Sequence, residues 1–336
     1  MGHTPRLTAT LLVACGSCAT LVGAALLYAG PAFPATQGRP AATPATLGIR
    51  AIPSIPAILA IPAGAGSRER AGNADADSLA GQPIDPALFS PGACVAFAPT
   101  SGDLHETVFL DAGHGGIDPG AVGTTQSGAP VNESIVNLAV ELDTMAILRA
   151  AGYRVVVSRT ENTTVTKLTP ADLDGQLLTV KGVLSDVGSR DVCANLAGAD
   201  VLVGIYMDSG SPQSAGCVTG YDAVRSFSAA NLRLATLLQD DVLSAMNAEG
   251  WGIPDEGVFP DTVLGSALDS AALAYGHLIL LGPAKAGYFT TPSQMPGALI
   301  EPLFVTDPFE GSIAASAQGQ QVIATALAEA INQYFA

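Results

Sequence analysis

The chain has 336 residues, with 14 Lys and Arg against 30 Asp and Glu and a formal net charge of −16. That balance excludes a basic field able to hold nucleic acid or anionic lipid by charge alone. The length admits one large domain with extensions or two ordinary ones, and composition favours the former, because few charged residues and many Ala, Pro and Gly precede a region of ordinary globular composition.

Residues 1–30 hold an uncharged run from Leu7 to Ala29 behind a lone Arg6, which predicts a membrane anchor or signal segment and an exported remainder. Leu12-Val13-Ala14-Cys15 resembles a lipoprotein cleavage box, although the apolar run continues well past Cys15. Residues 31–95 are rich in Pro and Ala (GPAFPATQGRPAATPATLG, AIPSIPAILAIPAGAG) and read as an extended linker, leaving 96–336 as the folded domain. With Cys15 and Cys18 in the first segment, Cys94, Cys193 and Cys217 remain for an oxidising compartment. A Cys193–Cys217 bridge is the first expectation, with buried free thiols as the alternative.

The apolar run VFLD and the glycine-rich loop AGHGGIDPGAVG read as strand and turn. A helix follows from Glu133, with Ile135, Leu138, Ala139, Leu142, Met145 and Ala146 at helical spacing, Asn132 as cap and Gly152 as stop. YRVVVS is a buried strand. After a loop over 160–182, a helix carries Leu184, Val187, Arg190 and Ala194, and VLVGIYMD is the next strand. Ser228 caps a helix with Leu232, Ala235, Leu238, Val242 and Met246 on one stripe; HLILL and ALIE are two further strands; a last helix carries Ile323, Leu327 and Ile331. This alternation predicts an α/β fold, a mostly parallel twisted sheet with helices on both faces, in a single domain in which a site would form beyond the carboxyl ends of the strands.

Three residues stand out chemically. His114 sits among glycines just after a strand, where the backbone can bring an imidazole close to an ion. Glu133 opens a helix, a position that favours an anion with or without a metal. Glu301 ends an otherwise apolar strand, where a carboxylate needs a partner or a task.

Read together, VFLDAGHGGIDPGAVG, NESIVNLAVELDTMAILRAAGYRVVVSR, SRDVCANLAGADVLVGIY, PGALIEPLFVTDPFE and QQVIATALAEAINQYF resemble, in order, the zinc-dependent N-acetylmuramoyl-L-alanine amidases of the amidase_3 type. The resemblance implies hydrolysis of the amide between N-acetylmuramic acid and L-alanine in peptidoglycan at the cell wall. It makes His114 and Glu133 zinc ligands and Glu301 the catalytic carboxylate. Where the family carries a third ligand, a His, this chain reads Gly204-Ile205-Tyr206. Asp208, two residues on and on the same face if the strand continues, is the first candidate for that role. Tyr206, His277 and no third ligand remain alternatives. A protein of another class fits the same residues: a degenerate amidase without stable metal that binds or regulates the wall. Arg159 and Arg190 could hold substrate carboxylates, but structural use is the simpler reading.

Overall fold

The computed structural model describes residues 81–264 and 270–336, all within one compact unit. The first thirty residues, and the linker as far as residue 80, lie outside the described residues. Among the described residues no helix is long and apolar enough to cross a membrane.

In chain order the strands are β1 (Gln82–Pro83), β2 (Ala93–Phe97), β3 (Thr107–Ala112), β4 (Val122–Thr124) and β5 (Pro130–Asn132). Helix α1 (Glu133–Ala151), β6 (Arg154–Arg159), the small strands β7 (Leu173–Asp174) and β8 (Leu177–Leu178), and α2 (Val180–Ala197) follow. Then come β9 (Val201–Ile205), β10 (Cys217–Tyr221), α3 (Ser228–Ala248), β11 (Asp255–Pro260), α4 (Ser270–Tyr275), β12 (Gly297–Glu301), α5 (Pro308–Ala314) and α6 (Ala317–Phe335).

Eight strands form one sheet in the order β1-β2-β6-β3-β9-β12-β10-β11. The central four run parallel, while β2 and β10 join them antiparallel on either side. Alternation along the strands divides the core in two. Val108 and Leu110 of β3 face one cluster with α1, α3 and α6, and Phe109 faces a second cluster with Ala194 of α2. The expected α/β fold with helices on both faces is therefore present.

Several sequence expectations need correction. The linker does not extend to residue 95: β1 and β2 already belong to the sheet, and Phe89, Ala93 and Cys94 are core residues. Pro83 is tolerated there because β1 is an edge strand. HLILL is a tight turn, with Leu281 N–H and Gly282 N–H both donating to the Leu278 carbonyl. The places on both sides of β12 are taken by β9 and β10, so this apolar run packs onto the sheet instead of joining it; Gly204 of β9 leaves the room that Leu280 fills.

Helix α1 buries a different face from the one its apolar spacing indicates. Glu133, Asn137, Glu141 and Thr144 are buried, whereas Ile135 is exposed. Asn132 occupies the cap position of α1 without a side-chain hydrogen bond, and Gly152 closes the helix at φ 106°. In α3 Ser228 is the first helical residue rather than the cap, and Leu232 is exposed while Leu234 takes its place in the core.

Cys193 pairs with Cys94, not Cys217, at a Cα separation of 5.7 Å. Cys217 belongs to the core on the other face of the sheet, where its thiol faces Gln239, so β-sheet separates it from Cys193. The bridge fastens β2 to α2 across 99 residues of chain. Its loss through Cys94→Ser is expected to cost about 2–5 kcal/mol. Urea titrations of wild type with and without reductant should reproduce that loss; coincident curves would contradict it.

Candidate functional site

The site forms where β3, β9 and β12 end, at the carboxyl edge of the parallel strands. Beyond β3 the chain turns sharply, and two arginines hold the turn through its carbonyls. Arg190 donates to Ala112 O at 2.7 Å and His114 O at 2.8 Å, and to the Asp111 and Asp186 carboxylates. Arg159 donates to Ala112 O and Gly113 O at 3.1 Å each and to Ser134 O at 2.5 Å. Both residues are buried and their guanidinium groups are bonded within the protein, which fits structural use.

Held in this way, His114 adopts a left-handed backbone at φ 61°. Its Nδ1 lies 2.8 Å from Asp118 Oδ2 and its Nε2 lies 3.2 Å from Glu133 Oε1. Asp118 thus orients the ring so that Nε2 points to Glu133, the arrangement that a metal-binding imidazole needs. Sequence reasoning missed Asp118, although a carboxylate four residues past the histidine in HGGID was the available signal. Gly120, at φ 65°, makes room for both partners: a Cβ there would meet Glu133 Oε2 at 2.5 Å.

Glu133 opens α1 and is fixed at both oxygens. Oε2 accepts from Ala121 N–H at 2.7 Å; Oε1 accepts from Met207 N–H at 3.1 Å and from the Asn137 amide at 3.2 Å. Burial opposes the charge on His114, but the Glu133 and Asp118 carboxylates outweigh it and hold the imidazole well above its ordinary value. Burial opposes the charge on Glu133, but His114 and the Ala121 and Met207 N–H donors hold it below its own ordinary value.

Asp208 follows β9, where its backbone bridges to Leu303 and Val305 beyond β12. Glu301, the last residue of β12, is 5 % exposed, and its Oε2 lacks a hydrogen-bond partner. Burial, followed by the charges of Asp208 and Glu133 and a hydrogen bond with Asp208, pushes the Glu301 carboxyl well up. His114, Glu133, Asp208 and Glu301 line one cleft, walled on its apolar side by residues including Leu178, Val183 and Leu280.

The alternatives for the third position lie differently. Tyr206 borders the cleft, but its hydroxyl donates to Asp111 Oδ2 at 3.1 Å and its ring packs on Gly113. Burial, then Asp111, pushes this phenol well above its ordinary value, which disfavours the phenolate a metal would require. His277 is engaged with Asp222 and Asp261. His114, Glu133 and Asp208 are not a trio whose donor atoms all approach within 4.8 Å; among the described residues that closeness is met by Asp222, Asp261 and His277.

Behind the site, Glu141 Oε1 accepts from Ala112 N–H and Ser158 N–H at 3.0 Å each. Burial, partly offset by Arg159, pushes this carboxyl up to about 8. The unfolded chain releases the proton near about 4.3, so between those values the folded state holds one proton more and stability falls as pH rises, by at most about 1.4 kcal/mol per unit. Glu141→Gln is expected to flatten that decline, as thermal midpoints from pH 5 to 8 would register (about the span between the two values). Parallel profiles for variant and wild type would contradict it.

Comparison with known proteins matches residues 108–333 to the N-acetylmuramoyl-L-alanine amidase family model. An uncharacterised protein of Bacillus subtilis strain 168, YqiI, is 26 % identical over 231 residues, covering 68 % of this chain and 85 % of that one. The N-acetylmuramoyl-L-alanine amidase AmiA of Escherichia coli K12 is 27 % identical over 245 residues, covering 68 % and 75 %. The fold is also that of the CwlD amidase from Clostridioides difficile, solved with the GerS lipoprotein, at a TM-score of 0.51 and 20 % identity over 68 % of this chain and 98 % of that one. The chain belongs to the N-acetylmuramoyl-L-alanine amidase family, whose reaction is hydrolysis of the amide bond between N-acetylmuramic acid and L-alanine in peptidoglycan.

Proposed function

We propose that this chain is an exported, zinc-dependent amidase in which His114, Glu133 and Asp208 hold the ion and Glu301 carries the proton. The observation that supports it most is the pairing of His114 Nε2 with Glu133 Oε1 at 3.2 Å in the cleft that Asp208 and Glu301 also line. Two donors at about 2.0–2.1 Å from one tetrahedral ion stand about 3.3 Å apart, so this pair fits a shared cation. Tyr206 is engaged by Asp111 and His277 by two aspartates, whereas Asp208 lines the cleft beside Glu301. Carboxylate oxygen is an ordinary zinc ligand, so a His, Glu, Asp set with an open position is chemically sound.

Zinc bound there would polarise the scissile carbonyl and lower the pKa of water towards neutrality. The protein's own groups do the rest. Asp118 and Arg190 keep the His114 ring and its turn in place, and Asn137 and Met207 N–H fix Glu133. Glu301, buried beside the ligand carboxylates, is held protonated by their charge; a cation offsetting that charge would let it ionise, take a proton from water as the amide is attacked and return it to the leaving L-alanine amine. The apolar wall around Leu280 restricts bulk water.

Export is supported by the Cys94–Cys193 bridge, which belongs to oxidising compartments, and by a substrate that lies in the wall. The uncharged segment from Leu7 to Ala29 would serve as signal or membrane anchor.

Zinc removal is the test. Dialysis against chelator should abolish release of L-alanine-terminated peptides from isolated peptidoglycan, and added zinc should restore it. Unchanged release after the metal has been stripped would refute zinc dependence. Wall binding without zinc and without release would instead support the degenerate module.

A further inference from the structure

A second group of ligand-type side chains lies outside the set assigned to hydrolysis. Asp222 follows β10, Asp261 follows β11 and His277 follows α4, and their donor atoms all lie within 4.8 Å of one another. His277 Nδ1 is 3.1 Å from Asp222 Oδ2 and 3.1 Å from Asp261 Oδ2. Both separations are close to the roughly 3.3 Å expected of donors that share one tetrahedral ion.

Hydrogen bonding within the protein leaves this cluster incompletely satisfied. One imidazole nitrogen carries at most one proton, yet His277 Nδ1 faces oxygens of two fully buried carboxylates. Asp222 Oδ1 is used by Val224 N–H and Arg225 N–H, whereas Asp222 Oδ2, shut off from solvent, accepts no hydrogen bond and is aimed at the ring nitrogen. An oxygen so placed is costly unless it meets a proton or a cation.

We propose that Asp222, Asp261 and His277 bind a second divalent transition-metal cation that braces the wall of the cleft. One imidazole with two carboxylates suits zinc or manganese better than magnesium or calcium, which take oxygen ligands. The brace acts through the turn after α4: Asp261 Oδ2 also accepts from Leu278 N–H at 3.0 Å, and Leu278 and Leu280 line the cleft. An ion here would join the ends of β10 and β11 to that turn. The partly exposed His277 ring marks the side from which it enters.

The test is metal content of the full chain after zinc loading and desalting, for wild type and His277→Ala. Wild type should carry one more equivalent than the variant, and a protein with His114→Ala and Glu133→Gln should still carry one, which a further His277→Ala removes. Zinc should raise the thermal midpoint of the cleft variant but not of the protein that also lacks His277. Equal zinc in folded wild type and His277→Ala, or no zinc in the cleft variant, would overturn the proposal. Asp222→Asn, at a fully buried position, is the harsher variant; if it does not fold, His277→Ala still decides.

Discussion

Glu301→Gln is expected to lower peptide release from peptidoglycan by a factor of about 10²–10⁴, the usual contribution of a positioned proton carrier. Zinc content should stay the same, because Glu301 is not one of the proposed ligands. The substitution keeps the size of the side chain and removes its ability to accept a proton from water. It also takes a carboxyl out of a buried group in which Asp208 and Glu133 oppose its ionisation, so the variant should fold at least as stably at neutral pH. A kinetic defect with preserved zinc and preserved stability separates a catalytic role from a structural one. Retained activity, or loss of zinc together with loss of activity, would remove Glu301 from the role assigned to it.

The second large effect is on stability. Arg190→Met should cost about 3–5 kcal/mol, the usual consequence of removing one partner from a buried ion pair. Asp111 would keep only the Tyr206 hydroxyl among its side-chain partners here, and Asp186 would keep the Thr166 N–H. The carbonyl of His114 would also lose its donor and that of Ala112 would keep only Arg159, so the turn that presents the imidazole should loosen and zinc affinity should fall with stability. Urea denaturation reads the first effect and zinc titration the second. A loss as small as that of an exposed pair, about 1 kcal/mol, would show that the clamp is dispensable.

How much of this was legible in the sequence depends on how local the signal was. The alternation of strand and helix from Thr107 onward carried the fold, because strand runs such as YRVVVS and the apolar stripe of the last helix each have a period readable in one window. His114, Glu133 and Glu301 were legible as a set only through the resemblance, since each alone has an ordinary structural explanation. The disulfide was not legible. Pairing Cys193 with Cys94 requires knowing that Cys217 lies on the opposite face of the sheet, a tertiary fact that spacing does not carry. Helix α1 misled for a related reason. Its buried seam of Glu133, Asn137 and Glu141 is polar because backbone donors at Ala112, Ala121, Met207 and Ser158 and the Gly113 carbonyl await those side chains, so burial followed hydrogen bonding instead of hydrophobicity.

Tyr206 shows the same limit at the site. The resemblance implies a phenol where the family carries an imidazole. It does not reveal that the phenol turns to Asp111, or that His277 is held by two aspartates of its own. Asp118 escaped notice because a carboxylate four residues past a histidine can either orient the ring or shape the turn, and here it does both, accepting from Gly120 N–H as well.

The most direct measurement is anomalous diffraction at the zinc edge from crystals of the zinc-loaded protein. A peak bonded to His114 Nε2 and Glu133, with Asp208 turned from Glu301 to complete the set, is the expected result. A cleft with no peak in protein that still releases wall peptides, or a peak there that Asp208 does not touch, would contradict it.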